Sequence, residues 1–151
     1  MNSIFDIANY FLTRVEEVSP KKLQKLCYYA EAWSNALYGR SIVIDTQFEA
    51  WRHGPVSPEL YHEVKVFKWN DIQSDFLSER SKELSDRNDI ELLESVISTY
   101  GHLSGNELEA ITHTEDPWLN QRKSYNSSDS SKNVISTEDM AEYYGNLYNG
   151  D

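Results

Sequence analysis

Five times along this chain a serine is followed by the residues that open a helix, and that recurrence restricts the folds available to it. Ser3 precedes Asp6 at capping-box spacing, and Ile4, Ile7, Ala8, Phe11, Leu12 and Val15 then fall three or four apart, which predicts an amphipathic helix over 3–16. Ser19-Pro20 and Ser57-Pro58 each place an N-cap before a proline at the first helical position, where the missing N–H does no harm. The first opens a helix to Leu37 with Leu23, Leu26, Cys27, Ala30, Trp33 and Leu37 on its apolar face and Gly39 as a left-handed C-cap. The second opens a helix over 58–67 that buries Leu60, Val64 and Phe67. Leu103, Ser104, Glu107 and Leu108 set a capping box inside a hydrophobic staple, and Ile135, Ser136, Asp139 and Met140 repeat the pattern. That last helix would turn Met140, Tyr143, Tyr144 and Leu147 inward. A helix over 87–100, closed by Gly101, and a short turn restarted at Asp116-Pro117-Trp118 complete the set.

Between the helices the period changes. Ile42, Ile44, Phe48 and Ala50 alternate with polar residues, the spacing of a half-buried strand or β-hairpin near residues 42–56, and His53 to Pro58 is dense in residues that fix backbone dihedrals. Residues 68–85 read as a polar loop with one short strand, and 124–133, rich in Ser and Asn, as a flexible loop. At 151 residues the expectation is a mostly α, single compact domain, 1–151, of six or seven helices with that one β segment.

Charge and cysteine content remove several functions. Fourteen basic residues against 25 acidic give a net charge of −11, which repels a phosphate backbone, so nucleic-acid binding is not expected. The imbalance is local: residues 1–60 hold six basic and seven acidic side chains, and 61–151 hold eight and eighteen. No apolar run is long enough to span a bilayer and no leader pattern opens the chain, so a cytoplasmic protein without membrane contact is expected. Cys27 is the single cysteine, sits on an apolar helical face and reads as a small hydrophobe.

No phosphate-binding glycine loop, nucleophile elbow or paired-histidine zinc helix is present, so no catalytic residue, metal ligand or cofactor is assigned. Scattered groups leave an enzyme reading open. Glu49 lies four before His53, and His113 precedes Glu115 and Asp116; a fold joining these loops would create a metal or acid–base site from Glu49, His53, His113 and Asp116. Against it stands the plainer reading of both histidines as hydrogen-bonded turn residues. Lys21, Lys22 and Lys25 open one helix and read as a solvated face or a phosphate contact. Aromatic residues make up 13% of the chain, and Tyr28, Tyr29, Trp33, Trp51 and Tyr61 exceed what one helix face hides, which makes them candidates for a protein contact. Adjacent helical positions are about 100° apart, so one of Tyr28 and Tyr29 is expected to face outward.

Three blocks, KLQKLCYYAEAW at 22–33, FEAWRHGPVSPELY at 48–61 and LSGNELEAITHTEDPW at 103–118, followed by an Ile135-Ser136 step into a closing helix, together resemble the Panacea domain, the SocA-like antitoxin domain common in phages and prophages. The resemblance marks Glu49, His53, Gly54, Pro55, Thr112, His113, Asp116, Pro117 and Trp118 as motif positions, which Gly, Pro and Trp chemistry suggests are scaffold first. It implies a mostly helical, prophage-borne antitoxin of a toxin–antitoxin system, neutralising a protein toxin by direct binding, with delivery of that toxin to a bacterial AAA+ protease as an adaptor route. Many relatives carry an amino-terminal helix-turn-helix; here the blocks begin by residue 22, so none is expected in this sequence. A phage accessory protein that binds a host factor is the third reading.

Overall fold

The computed structural model describes residues 2–126, 129 and 131–150. Its elements run α1 (Ile4–Arg14), α2 (Pro20–Tyr38), β1 (Glu49–Trp51), β2 (Gly54–Val56), α3 (Pro58–Val64), α4 (Arg87–Tyr100), α5 (Gly105–Thr112), α6 (Asp116–Gln121) and α7 (Thr137–Tyr148). The mostly α architecture is the expected one, and the helix starts fall where the serines place them. Ser3 and Asp6 close a reciprocal capping box, as do Ser104 and Glu107. The Ser19, Ser57 and Ser136 hydroxyls each accept a backbone N–H from the first turn of α2, α3 and α7. Gly39 ends α2 at φ +64°, the left-handed conformation expected of it.

One helix organises the rest. α2 packs against α1, α3, α4, α5, α7 and β2, with α7 its principal neighbour. One continuous core surrounds it, from Ile4, Ile7 and Phe11 of α1 through Leu23, Leu26 and Tyr29 to Leu93, Leu108 and Tyr144. The hairpin is antiparallel and two residues long at its turn, with Glu49 opposite Val56 and Trp51 opposite Gly54. Chain from the carboxyl-terminal side extends it: Ala50 N–H donates to the Asn133 carbonyl at 2.8 Å and Ile135 N–H to the Phe48 carbonyl at 2.8 Å.

Several expectations need correction. The third helix stops at Val64 and tightens into a 3₁₀ turn over Lys65–Phe67, because Lys68 reverses the chain at φ +56°. Residues 68–85 contain a 3₁₀ turn at Ser78–Arg80 and no strand among the described residues. Phe48 and Ala50 point inward as alternation requires, yet Ile44 is 61% exposed, since pairing near it is limited to the bridge between Asn2 and Val43. Leu37 and Leu147 both lie in the last turn of their helices and are exposed. Of the loop read at 124–133, residues 127, 128 and 130 lie outside the described residues. Among the described residues, no helix is long and apolar enough to cross a membrane.

Candidate functional site

The motif positions converge where the hairpin meets α2, α5 and α6. Gly54 enters β2 at φ +108°, a backbone region closed to most side chains. A Cβ there would stand 2.6 Å from Lys25 Cε and 3.1 Å from Thr112 Oγ1, so the glycine is required by close approach as well as by its dihedral. Below it Lys25 is only 1% exposed, and its Nζ donates to the Pro55 carbonyl at 3.3 Å. Burial drives the Lys25 ammonium down to about 7; the Lys21 charge assists, and Glu109 opposes. One residue earlier Gln24 brackets Ser57, its Nε2 donating to the Ser57 carbonyl and its Oε1 accepting the Ser57 N–H.

The three lysines of α2 are therefore clamps, not a solvated face. Lys22 is buried and donates to the Gly101 carbonyl at 2.7 Å, tying α2 to the end of α4. Lys21 reaches α5, 2.6 Å from Glu109 Oε1 and within hydrogen-bond range of Asn106. His53 Nδ1 lies 3.4 Å from the other Glu109 oxygen. Burial opposes the charged form of Glu109, but the Lys21 and His53 contacts outweigh it and hold the carboxyl below its ordinary value.

Behind the hairpin, Trp118 Nε1 donates to the Trp51 carbonyl at 2.8 Å. His113 stacks on Trp118 with ring centroids 4.1 Å apart, and burial lowers its pKa, which favours the neutral imidazole. Arg122 lies 5.2 Å over the Trp118 ring and donates to the Ala50, Asn126 and Asp129 carbonyls. Sequence reasoning missed Arg122, which stands in a polar stretch beyond the third motif block.

A second cluster fills the interface of α2 with α7. Tyr28 and Tyr29 are both buried, contrary to the expectation that one faces water, because Phe48 and Tyr144 cover the first while Tyr100 and Tyr144 cover the second. Tyr29 stacks on Tyr100 at 4.0 Å, and Tyr28 meets Phe48 edge-on. Glu115, the N-cap residue of α6, accepts from Tyr29 at 2.8 Å and from Tyr144 at 2.7 Å, while the Tyr28 and Tyr144 hydroxyls pair at 3.2 Å. Burial raises the Glu115 pKa against the pull of these two phenol donors. Trp33 Nε1 donates to the Tyr100 hydroxyl, itself pushed up to about 12 by burial. Burial likewise pushes the Cys27 thiol up, which leaves it protonated and inert. Of the five aromatic candidates, Trp33 and Trp51 are half-buried and Tyr61 is 38% exposed, stacked edge-on against Trp51 at 4.9 Å. Beside that pair is a cleft of about 250 Å³ lined by Trp51, Arg52, His53, Val56, Ser131 and Lys132.

The four groups of the enzyme reading are separately engaged. Glu49 accepts from the Trp51 indole at 2.8 Å, His53 faces Glu109, His113 stacks on Trp118, and Asp116 lines a different cleft with Asp139 and Glu142. Among the described residues, no group of three or more His, Cys, Asp or Glu is placed to hold a metal ion. Among the motif side chains, His53 of the hairpin turn faces Glu109 of α5 and Trp118 of α6 donates to the Trp51 carbonyl of β1, contacts that join separate elements.

Comparison with known proteins agrees with where the clamps lie. Antitoxin SocA of Caulobacter vibrioides (strain NA1000 / CB15N) is 33% identical over 113 residues, which covers 67% of this chain and 58% of that protein, so the chain spans less than two thirds of the relative's length. No solved structure is a significant match. The model of the family described as "Antitoxin SocA-like, Panacea domain" matches residues 23–119, a stretch that takes in the hairpin, Lys25 beneath it, the His53–Glu109 contact, the Trp118 lock and the whole of α3 to α5. With nearly two thirds of its length matched, and with the matched part being the part that holds the hairpin to α2, the chain belongs to the SocA-like antitoxin family of Panacea domains.

Proposed function

We propose that this protein is the antitoxin of a toxin–antitoxin pair and neutralises a protein toxin by binding it directly, without covalent chemistry. The observation that carries the reading is the family match laid over a frame whose charged motif residues are consumed in internal clamps. The relative named Antitoxin SocA supports the same role for this chain. A net charge of −11 favours encounter with a basic toxin, and accessible rings such as Trp33, Trp51 and Tyr61 supply the low-entropy contact area that slows dissociation. A prophage gene neighbourhood fits this role. Delivery of the bound toxin to a bacterial AAA+ protease is the adaptor form of the same activity, since it needs the same first contact.

The test is co-expression with the reading frames that flank the gene. One of them alone should arrest growth, this protein should restore it, and the two should co-purify as a stable complex. Toxin half-life, followed with and without an AAA+ protease in the cell, separates tethering from masking: a half-life shortened only when protease and antitoxin are both present marks the adaptor route. A complete set of flanking frames that neither arrests growth nor binds this protein refutes the proposal.

A further inference from the structure

We infer that the toxin docks on the carboxyl-terminal half of α7, and that this surface takes a basic amphipathic segment; the inference rests on the binding role proposed above. α7 lies beyond residue 119, where the family match ends, yet it is the principal neighbour of α2. Its inner face holds Tyr144 in the core, so the helix is fixed, while its last turn leaves Leu147 50% and Tyr148 68% exposed. Tyr148 is continuous with Trp33 and Leu37, and a contiguous apolar patch, unlike a single exposed side chain, points to a contact surface.

The two residues stand on a ridge between unlike clefts. On one side Tyr148 helps line a cleft of about 310 Å³ with Trp33, Leu37 and Val96, and the Tyr148 ring meets Trp33 edge-on. On the other side Leu147 borders a cleft of about 300 Å³ that contains Asp116, Asp139 and Glu142. Neither cleft is lined by a lysine or arginine, and α7 itself carries three acidic residues and no basic one. An apolar cleft on one side of the ridge and an acidic one on the other complement a helix with leucine-like residues on one face and Lys or Arg along its border. A second copy of this chain would bring carboxylates against carboxylates, which disfavours self-association through the same face. Because the shared family sequence builds the frame and α7 builds the ridge, partner choice resides in α7.

Full-length protein carrying Glu142→Lys or Tyr148→Ser, both at exposed positions, tests this once circular dichroism has established that each variant folds. Two probes are used: the co-purified toxin and a synthetic Leu/Lys amphipathic helix, with a Leu/Glu helix as control. Each substitution should weaken both toxin and Leu/Lys binding at least tenfold. Glu142→Lys should act mainly by slowing association and flattening its salt dependence, and Tyr148→Ser by speeding dissociation. Toxin binding within twofold of wild type in both variants overturns the surface and leaves the antitoxin reading intact. A wild-type chain that binds the Leu/Lys helix at this ridge but no toxin overturns the antitoxin reading and leaves the surface. Failure to bind the Leu/Lys helix, or equal binding of the Leu/Glu helix, overturns the basic-segment chemistry. A wild-type dimer that Tyr148→Ser dissolves overturns the assignment in favour of a self-interface.

Discussion

Replacing Lys25 by Met removes a titratable group from the centre of the clamp while keeping most of its volume. Lys25 is 1% exposed, and burial takes its ammonium from an ordinary 10.5 to about 7 in the folded chain. Between those two values the unfolded chain holds a proton that the folded chain has released, so folding is favoured increasingly as pH rises. Each pH unit inside the window is worth about 1.4 kcal/mol, and the whole window about 5 kcal/mol. Below pH 7 both states are protonated and the wild type bears the full penalty of a buried cation. Urea unfolding at intervals from pH 7.5 to 9.5 gives the readout. Wild-type stability should gain about 1.4 kcal/mol per pH unit relative to Lys25→Met, titrations common to both chains cancelling in the difference. The variant also leaves the Pro55 carbonyl without its donor, a pH-independent loss of about 1 kcal/mol that shifts the two curves without changing their divergence. Parallel profiles would show that Lys25 reaches water, and the account of the hairpin as sealed against α2 would fall with it.

Other perturbations probe the same frame. Gly54→Ala should destabilise by about 3 kcal/mol, combining positive-φ strain with intrusion on Lys25, whereas Gly145→Ala, in mid-helix with open space around it, should stabilise by about 0.5 to 1 kcal/mol; chemical denaturation midpoints that moved together would refute the distinction. Ser104→Ala should cost about 1 kcal/mol by removing the hydroxyl of the α5 capping box, and a negligible change in thermal midpoint would mean that Glu107 alone sustains the cap. Tyr144→Phe strips Glu115 of one of its two phenol donors and should cost about 1.5 to 3 kcal/mol by calorimetry, with a loss under about 0.5 kcal/mol indicating that water replaces the phenol.

Helix starts were legible in the sequence because capping is a local matter: Ser104 and Glu107 are three residues apart, and their mutual bonds require nothing from the rest of the chain. The hairpin was legible for a related reason, since His53-Gly54-Pro55 confines its own dihedrals. Neither the burial of Lys25 nor the place of Arg122 could be read that way. Arg122 serves carbonyls at Ala50, Asn126 and Asp129, and nothing near it in sequence announces the first of these. The exposure of Leu37 and Leu147 was equally hidden, because periodicity assigns a face to a helix but does not say where the covering neighbour ends.

The misreading of α2 has one physical root, and it bears on function. An apolar stripe three or four residues apart suggests a helix lying on a surface, with its polar residues in water. α2 instead has fourteen of its nineteen residues buried, among them Lys22, Gln24, Lys25, Glu31, Ser34 and Asn35. A polar side chain inside must find a partner, and these do: the carbonyls of Gly101, Ser57, Pro55 and Arg40 accept from Lys22, Gln24, Lys25 and Ser34, while Glu31 accepts the Ile42 N–H. Ser57 and Pro55 belong to the second distinctive block, and the bonds from Tyr29 to Glu115 and from Trp118 to Trp51 tie the third block to the first and second, so the three blocks form one another's hydrogen-bonding environment. Residues committed to such mutual contacts cannot vary with the partner without loosening the frame. Adaptation to a particular toxin must therefore fall on positions that the clamps leave alone, and Leu147 and Tyr148, anchored by Tyr144 below and open above, meet that condition.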